Sequence, residues 1–116
     1  MNLSEEMIHL LEAHTASSPG SEVCGWIYPD RYLPLRNTAS APDRFIADPR
    51  DLARALLRYG EPLAIFHSHP NGNLNPSLLD QRPCYYKNSM MIIGGYVDGE
   101  FCVNLVQFPV YGHEGY

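Results

Sequence analysis

The sequence has few cysteines and no cluster of basic residues. Its three cysteines, Cys24, Cys84 and Cys102, are an odd number without Cys-x-x-Cys spacing, which argues against a disulfide framework and against a cysteine-rich zinc site. We interpret them as small buried side chains in a reducing compartment. Eight basic residues against thirteen acidic ones give a net charge of -5, so a nucleic-acid partner is not expected.

Long hydrophobic runs are also missing. The longest apolar runs fall far short of the ~20 residues that cross a bilayer, and the acidic, amphipathic segment 1–14 is unlike a signal peptide. These absences predict a cytoplasmic protein with no membrane partner. A length of 116 residues, with 45% hydrophobic and 18% charged residues, predicts one globular domain over residues 1–116. The oligomeric state stays open.

The first part of the chain predicts a helix and then a hairpin. We expect Asn2 to cap a helix that ends near the turn at residues 17–20. Two segments rich in strand formers follow, residues 22–28 and 31–37, and the Pro-Asp turn between them is typical of a hairpin. Pro34 cannot donate a ladder hydrogen bond, so the second strand should lie near the edge of a sheet.

A second helix is predicted to begin at Asp48, a capping residue that is followed by proline in the first turn. Asp51 should complete a pair similar to a capping box. The residues expected to form the buried stripe of this helix are Leu52, Leu56 and Tyr59.

The remaining pattern predicts a buried strand, a helix and another hairpin. Residues 63–66 are continuously apolar, as expected of a central strand covered on both faces. Asn75 and the following proline favour a short helix, and residues 90–97 and 100–108 flank Asp-Gly, the strongest short-range hairpin signal. Together these elements predict an α/β fold with a central mixed sheet flanked by helices.

Two histidines follow the central strand. Side chains two residues apart in an extended segment point the same way, so His67 and His69 can face one ligand while Ser68 turns away. The turn-rich segment after them lets the chain double back, so Asp80 could supply a carboxylate. Two histidines and one carboxylate leave a fourth position for water, which is typical of catalytic zinc. Alternating polar residues produce this spacing freely, however, so an ordinary strand and loop stay open.

Hydrolysis by such a site also needs a general base. Zinc lowers the pKa of bound water from about 15.7 towards about 7, and a nearby carboxylate can pass the proton to a leaving amine. Glu22, at the start of the predicted hairpin, is the candidate. Its alternative role is an exposed carboxylate at the beginning of a strand.

Taken together, these motifs resemble the signature of the JAMM zinc metallopeptidases, also called MPN proteins. The segment Glu22-Val23-Cys24-Gly25 matches the E-x-x-G beginning, residues 67–70 match the H-S-H-P core, and residues 77–80 match S-x-x-D. Ten residues separate His69 from Asp80, as in the family. The resemblance covers most of the chain and implies a cytidine deaminase-like layered fold.

The resemblance also implies a role for each motif residue. It implies one Zn²⁺ per chain, held by His67, His69 and Asp80, with Glu22 as general acid and base. It further implies that the Ser77 hydroxyl stabilises the tetrahedral oxyanion. From the local sequence alone, Ser77 could equally cap the first turn of a helix.

Within the family, the chain looks most like the JAMM domains of phage tail assembly proteins of the K type. Segment 32–37 and Cys84, four residues after Asp80, carry this likeness. It implies cleavage of peptide or isopeptide bonds, either after the tail of a small ubiquitin-like protein or in a phage tail protein. The insertions that eukaryotic deubiquitinating members use to hold ubiquitin have no room here.

The sequence leaves room for one other function and argues against a second. A JAMM-like domain could serve as a non-catalytic scaffold in phage tail assembly, although no ligand residue of the motif is missing. Nucleobase deaminases share the implied fold, but they bind zinc through Cys-x-x-Cys beside an H-x-E motif, and this chain has neither arrangement.

The other histidines and cysteines have no assigned chemistry. We interpret His9, His14 and His113 as solvated. Cys24 and Cys84 could approach the site, although core packing is favoured for both. The aromatic residues that could line a substrate groove, or lie at the edge of the core, are Trp26, Tyr85 and Tyr86.

Overall fold

The computed structural model describes residues 2–76 and 90–107. The elements in these ranges are α1 (Glu5–Ala16), β1 (Cys24–Tyr28), β2 (Arg31–Leu35), α2 (Pro49–Tyr59), β3 (Ala64–Ser68), β4 (Met90–Val97) and β5 (Glu100–Gln107). The predicted helix after Asn75 lies outside the described residues. No helix of the described ranges is long and apolar enough to cross a membrane.

The five strands form one mixed sheet in the order β2-β1-β3-β4-β5. Strands β3 and β4 are parallel, and the other neighbours are antiparallel. This arrangement confirms the predicted mixed sheet, with the apolar strand β3 at its centre. Pro34 lies in the edge strand β2, where the missing N–H interrupts no ladder inside the sheet, as predicted.

The two helices lie against opposite faces of the sheet. Side chains alternate between the two faces along each strand, and each helix packs on a different alternate set. One core cluster joins α1 to the sheet through Met7, Leu11, Val23, Ile27, Ala64, Phe66 and Ile92. The other joins α2 to the sheet through Cys24, Trp26, Tyr28, Leu35 and Ala55. The result is a layered helix–sheet–helix arrangement, consistent with the fold that the motifs implied.

Helix α1 begins at Glu5, and Ser4 rather than Asn2 is its cap. The Ser4 side chain accepts a hydrogen bond from the backbone N–H of Met7 at 3.0 Å. The prediction for Asn2 was wrong because Glu5 and Glu6 form the first turn, where their charges stabilise the positive end of the helix. The Ser4 hydroxyl is correctly spaced for that start.

Helix α2 begins as predicted, with the Asp48 carboxylate accepting from the backbone N–H of Arg50 at 2.9 Å. The prediction of a capping box was wrong. The N–H of Asp48 donates to the carbonyl of Arg36 at 2.8 Å, so it does not need Asp51. The Asp51 carboxylate instead accepts from the N–H of Arg36 at 2.9 Å, and both bonds hold the start of α2 against the end of β2.

The buried face of α2 differs from the predicted stripe. Ala55 is buried, and Leu52 and Tyr59 are partly buried against the sheet, but Leu56 is 44% exposed. The interpretation of Leu56 as buried was wrong because Ala55, one position earlier and about 100° away around the helix, faces the sheet.

Both predicted hairpins are confirmed. Strands β1 and β2 pair with Tyr28 opposite Arg31, across a two-residue turn. In the hairpin of β4 and β5, Asp98 has φ 51° and Gly99 has φ 84°. Two successive residues with positive φ are what a type I′ turn requires, and Asp-Gly is among its preferred pairs.

The aromatic ring of Tyr32 lies directly over Gly25. A Cβ at Gly25 would collide with the Tyr32 ring and hydroxyl, so the present orientation of Tyr32 requires glycine at this position. The Tyr32 hydroxyl lies 2.7 Å from Nδ1 of His14. His14 is half-buried, and burial lowers its pKa. The interpretation of His14 as solvated was therefore wrong, while His9 is exposed as predicted.

Candidate metal centre

Three of the five predicted site residues meet where β1 begins and β3 ends. Antiparallel pairing places Cys24 opposite His67, and directly opposite residues share a face of the sheet. Glu22 and His69, each two residues further along, extend the same face. One ligand atom from each of Glu22, His67 and His69 lies within 4.8 Å of the others.

All three side chains are buried. Relative exposure is 7% for Glu22, 0% for His67 and 7% for His69. Glu22 is therefore not the exposed carboxylate that the local sequence left open. Carboxylates are rarely buried unless they are paired or coordinate a metal, and Glu22 is paired with the ring of His67.

The other predicted residues of the site lie outside the described residues. They are Ser77, the proposed oxyanion donor, and Asp80, the proposed third ligand. The same holds for Cys84, Tyr85, Tyr86 and His113. The roles assigned to Ser77 and Asp80 thus stay predictions from the sequence motif.

The ring of His67 is surrounded by neighbouring side chains. Its Nδ1 lies 3.2 Å from Oε1 of Glu22. An ionised carboxylate only accepts hydrogen bonds, so Nδ1 is the donor in this contact. Nε2 lies 3.2 Å from the sulfur of Met91, and Phe45 stacks on the ring at a centroid distance of 4.5 Å and 24° between planes. These contacts hold the orientation of the buried ring.

The ring of His69 is oriented by the loop that follows it. Its Nδ1 lies 2.6 Å from the backbone carbonyl of Asn73. A carbonyl only accepts, so Nδ1 carries the proton, and Nε2 is the nitrogen that would bind a metal. Metal-binding histidines commonly donate their other ring N–H to a carbonyl or carboxylate in this way.

Ser68 joins the two strands that carry the site. Its N–H donates to the carbonyl of Val23 at 3.0 Å, and its hydroxyl accepts from the N–H of Val23 at 2.9 Å. The backbone of Glu22 is held as well, because its N–H donates to Pro42 at 3.0 Å and its carbonyl accepts from the Asn37 side chain at 2.8 Å. Ser68 thus turns away from the two histidines, as predicted, and its hydroxyl has a structural role.

We expect Ser68→Ala to lower the free energy of unfolding by about 1–3 kcal/mol, because the buried N–H of Val23 loses its acceptor. Urea denaturation followed by circular dichroism measures the change. Ser40→Ala, at an exposed serine, is the control and should change stability by less than about 0.5 kcal/mol. Equal stability of the two variants would contradict the role given to Ser68.

Cys24 and Trp26 belong to the core rather than to the site. Both are 1% exposed, and the Cys24 sulfur lies 3.9 Å from the carbonyl of Leu35. Burial raises the pKa of the Cys24 thiol to about 12, with the negative charges of Glu22 and Asp51 adding to the effect. Cys24 is therefore a neutral packing residue, as favoured. Of the two roles left open for Trp26, its burial supports the one in the core and not the one in a substrate groove.

A cleft of about 420 Å³ opens beside Glu22, between the end of α1 and the segment 36–42. Its wall is largely polar and includes His14, Ser21 and Asn37. Sequence patterns did not predict this cleft, because two segments distant in the chain form it. Nor did they predict the contacts of Phe45 and Asn73 with the histidines, although the Asn-Gly-Asn turn signal near Asn73 indicates a tight loop.

The residues that carry this fold and site match one family. Residues 4–106 match the model described as prokaryotic homologs of the JAB domain. Since this match spans most of the chain, the protein belongs to that family. Its sequence is also similar to the tail tip assembly protein K of Escherichia phage N15, with 34% identity over 87 residues. The aligned region is 71% of this chain and 35% of that protein, so the chain spans about a third of its relative's length.

Two solved structures share the fold. The solution structure of a protein from Desulfitobacterium hafniense has a TM-score of 0.70 and 21% identity, covering 93% of this chain and 90% of that one. A solution structure from Salinibacter ruber has a TM-score of 0.56 and 16% identity, covering 99% and 93%. At these identities the likeness supports the layered fold alone.

Proposed function

We propose that the protein is a zinc-dependent metallopeptidase of the JAMM type that hydrolyses peptide or isopeptide bonds. The observation that carries this proposal is the buried group of Glu22, His67 and His69, whose ligand atoms lie within 4.8 Å of one another. Burying imidazoles beside a carboxylate lowers the stability of the fold unless these groups are fully paired, which favours a functional reason for the group. Membership of the prokaryotic JAB-domain family supports the same conclusion.

The residue types of the donor set suit one Zn²⁺, and Nε2 of His67, the nitrogen left for a metal, lies 3.2 Å from the sulfur of Met91. Imidazole nitrogens and a carboxylate oxygen are common zinc ligands, and three protein ligands are typical of a catalytic site. His67 and His69 would hold the ion, with Asp80 as the third ligand that the motif predicts. When bound, the ion would supply Lewis-acid polarisation of a carbonyl and of the attacking water.

The chain's own residues would supply proton transfer and charge stabilisation. Glu22 would take the proton of the attacking water and deliver it to the leaving amine. Oε1 of Glu22 lies 3.2 Å from Nδ1 of His67, so the carboxylate is adjacent to a proposed metal ligand. The hydroxyl of Ser77 would donate to the developing oxyanion.

We propose a protein or peptide substrate, cleaved in the cytoplasm, where phage proteins are made. The polar cleft beside Glu22 offers about 420 Å³ for part of an extended chain. Two sources of substrate fit this chemistry: the tail of a small ubiquitin-like protein, and a phage tail protein. The similarity to a tail tip assembly protein favours the second source.

The proposal is tested by measuring zinc and cleavage in the same preparation. We expect elemental mass spectrometry to find about one zinc per chain, as for a three-ligand catalytic site. The zinc-loaded protein should cleave a member of a peptide and isopeptide panel that includes tail proteins. A chelator should abolish this cleavage and added zinc should restore it. A protein that takes up no zinc, or cleavage that survives the chelator, would contradict the proposal.

A non-catalytic scaffold in phage tail assembly is the second candidate. It is favoured by the similarity to a protein whose name places it in tail tip assembly. This function predicts that a Glu22→Gln variant assembles tails as well as the wild type. A peptidase required for assembly predicts defective tails from the same variant, so electron microscopy of phage particles separates the two.

A further inference from the structure

The loop after β3, residues 69–75, lies directly on strand β4. The N–H of His69 donates to the carbonyl of Gly94 at 2.9 Å. A Cβ built on Gly95 would lie 2.8 Å from the carbonyl oxygen of His69, and one on Gly72 would lie 2.8 Å from the carbonyl oxygen of Tyr96. Real Cβ atoms essentially never come so close to another atom, so the two backbones meet at a distance that only glycine permits.

Gly95 supports both ends of this loop. The Cβ that it lacks would also lie 3.1 Å from a methyl carbon of Leu74, five residues after His69. The carbonyl of Leu74 accepts a hydrogen bond from the side chain of Asn104 in β5, at 2.9 Å. The loop thus rests on β4 at His69 and at Leu74, and β5 holds its far end.

The same loop carries the group that orients the His69 ring. The carbonyl of Asn73, 2.6 Å from Nδ1 of His69, lies between the two points of support. The loop is stiffened internally, because the side chain of Asn71 accepts from the N–H of Asn73 at 2.9 Å. A displacement of the loop would therefore move the Asn73 carbonyl relative to the ring.

We propose that Gly95 is a positioning residue for His69: its bare α-carbon lets the loop seat on β4 and so holds the imidazole in its metal-binding orientation. An alanine there must push the His69 carbonyl away. That carbonyl is backbone and cannot rotate aside as a side-chain tip would. The inference deepens the proposed function and rests on it only where it concerns a bound metal.

The neighbouring glycine provides a matched control. A Cβ on Gly94 would meet the rings of Phe66 and Phe101, at 2.8 Å and 2.9 Å, on the opposite face of the sheet. Gly94→Ala therefore strains the core and adds no atom next to the loop, while the Gly94 carbonyl remains available to the N–H of His69. Gly20→Ala is a neutral reference, because nothing lies within 4 Å of the Cβ that it adds.

The first measurement is zinc affinity, by competition with a chromophoric chelator. Gly95→Ala should weaken zinc binding by roughly 10- to 100-fold, the usual effect of disturbing the groups that orient a ligand. Gly94→Ala should lower the melting temperature while its zinc affinity stays near that of the wild type. The proposal is overturned if Gly95→Ala binds zinc like the wild type, or if Gly94→Ala weakens binding equally.

The second measurement needs no metal. In the metal-free protein, ¹⁵N-detected NMR of the His69 ring should report protonated Nδ1 in the wild type and in Gly94→Ala, with altered ring signals in Gly95→Ala. Unaltered signals in Gly95→Ala would overturn the proposal. This test separates the two ideas, because a wild type that binds no zinc defeats the proposed function and leaves the ring measurement valid.

A second variant keeps the test valid if Gly95→Ala does not fold. Asn104→Ala removes the hydrogen bond that holds Leu74 without adding an atom. It should alter the His69 ring signals and weaken zinc binding in the same direction. Unchanged ring signals and unchanged zinc affinity in Asn104→Ala would count against the seated loop.

Discussion

Glu22→Gln is expected to lower the turnover of a cleaved peptide by roughly 10²- to 10⁴-fold, the usual contribution of general acid and base catalysis. Glutamine has nearly the same shape, and its carbonyl oxygen can accept the contact that Oε1 of Glu22 makes with Nδ1 of His67. An amide cannot take up the proton of the attacking water. The folded structure and the zinc content should therefore remain, while the chemical step slows.

The matched control is Glu61→Gln, at an exposed glutamate just after α2. Its turnover and zinc content should equal those of the wild type. Wild-type turnover in Glu22→Gln would rule out Glu22 as the base. If Glu22→Gln instead loses its zinc, Glu22 is a ligand itself, as the distances among the three buried side chains also allow.

Asp80→Ala should reduce zinc affinity by more than about 100-fold. Removing a residue that only supports a ligand usually costs no more than that. The reason is that the proposed function makes Asp80 a direct ligand, and its removal would leave two histidines to hold the ion. Isothermal titration with zinc measures the change. Asp43→Ala, at an exposed loop aspartate, should bind zinc like the wild type.

The Asp80 and Glu22 variants together identify the third ligand. Zinc lost from Asp80→Ala and kept by Glu22→Gln supports the assignment in which Glu22 works as a base. The reverse pattern would replace it with a centre built from Glu22, His67 and His69. Stable zinc in both variants would leave only the histidines as ligands, which is too few for a tight site.

Local patterns predicted the elements of the fold well where one physical signal dominated. Asp98-Gly99 specifies its turn through positive φ, and the cap at Asp48 is satisfied within its own helix. Predictions failed where tertiary contacts decided which partner a side chain has. Asp51 bonds to Arg36 rather than to its own helix, and the exposure of Leu56 depends on how α2 lies on the sheet. Neither choice is decided by residues nearby in sequence.

The site itself was predictable mainly through the family signature. Glu22 and His67 are 45 residues apart in the chain, and no periodicity links them. Their contact depends on the register that sets Cys24 opposite His67. The stacking of Phe45 on His67 and the seat at Gly95 are products of tertiary packing, for which a single sequence carries no local signal.

The pairing of Ser68 with Val23 has a consequence for how the protein matures. It closes a loop of 45 residues, and contacts so distant in sequence form late and slowly in folding. The three buried side chains Glu22, His67 and His69 therefore come together only as the sheet forms, and metal uptake by them would be coupled to completed folding.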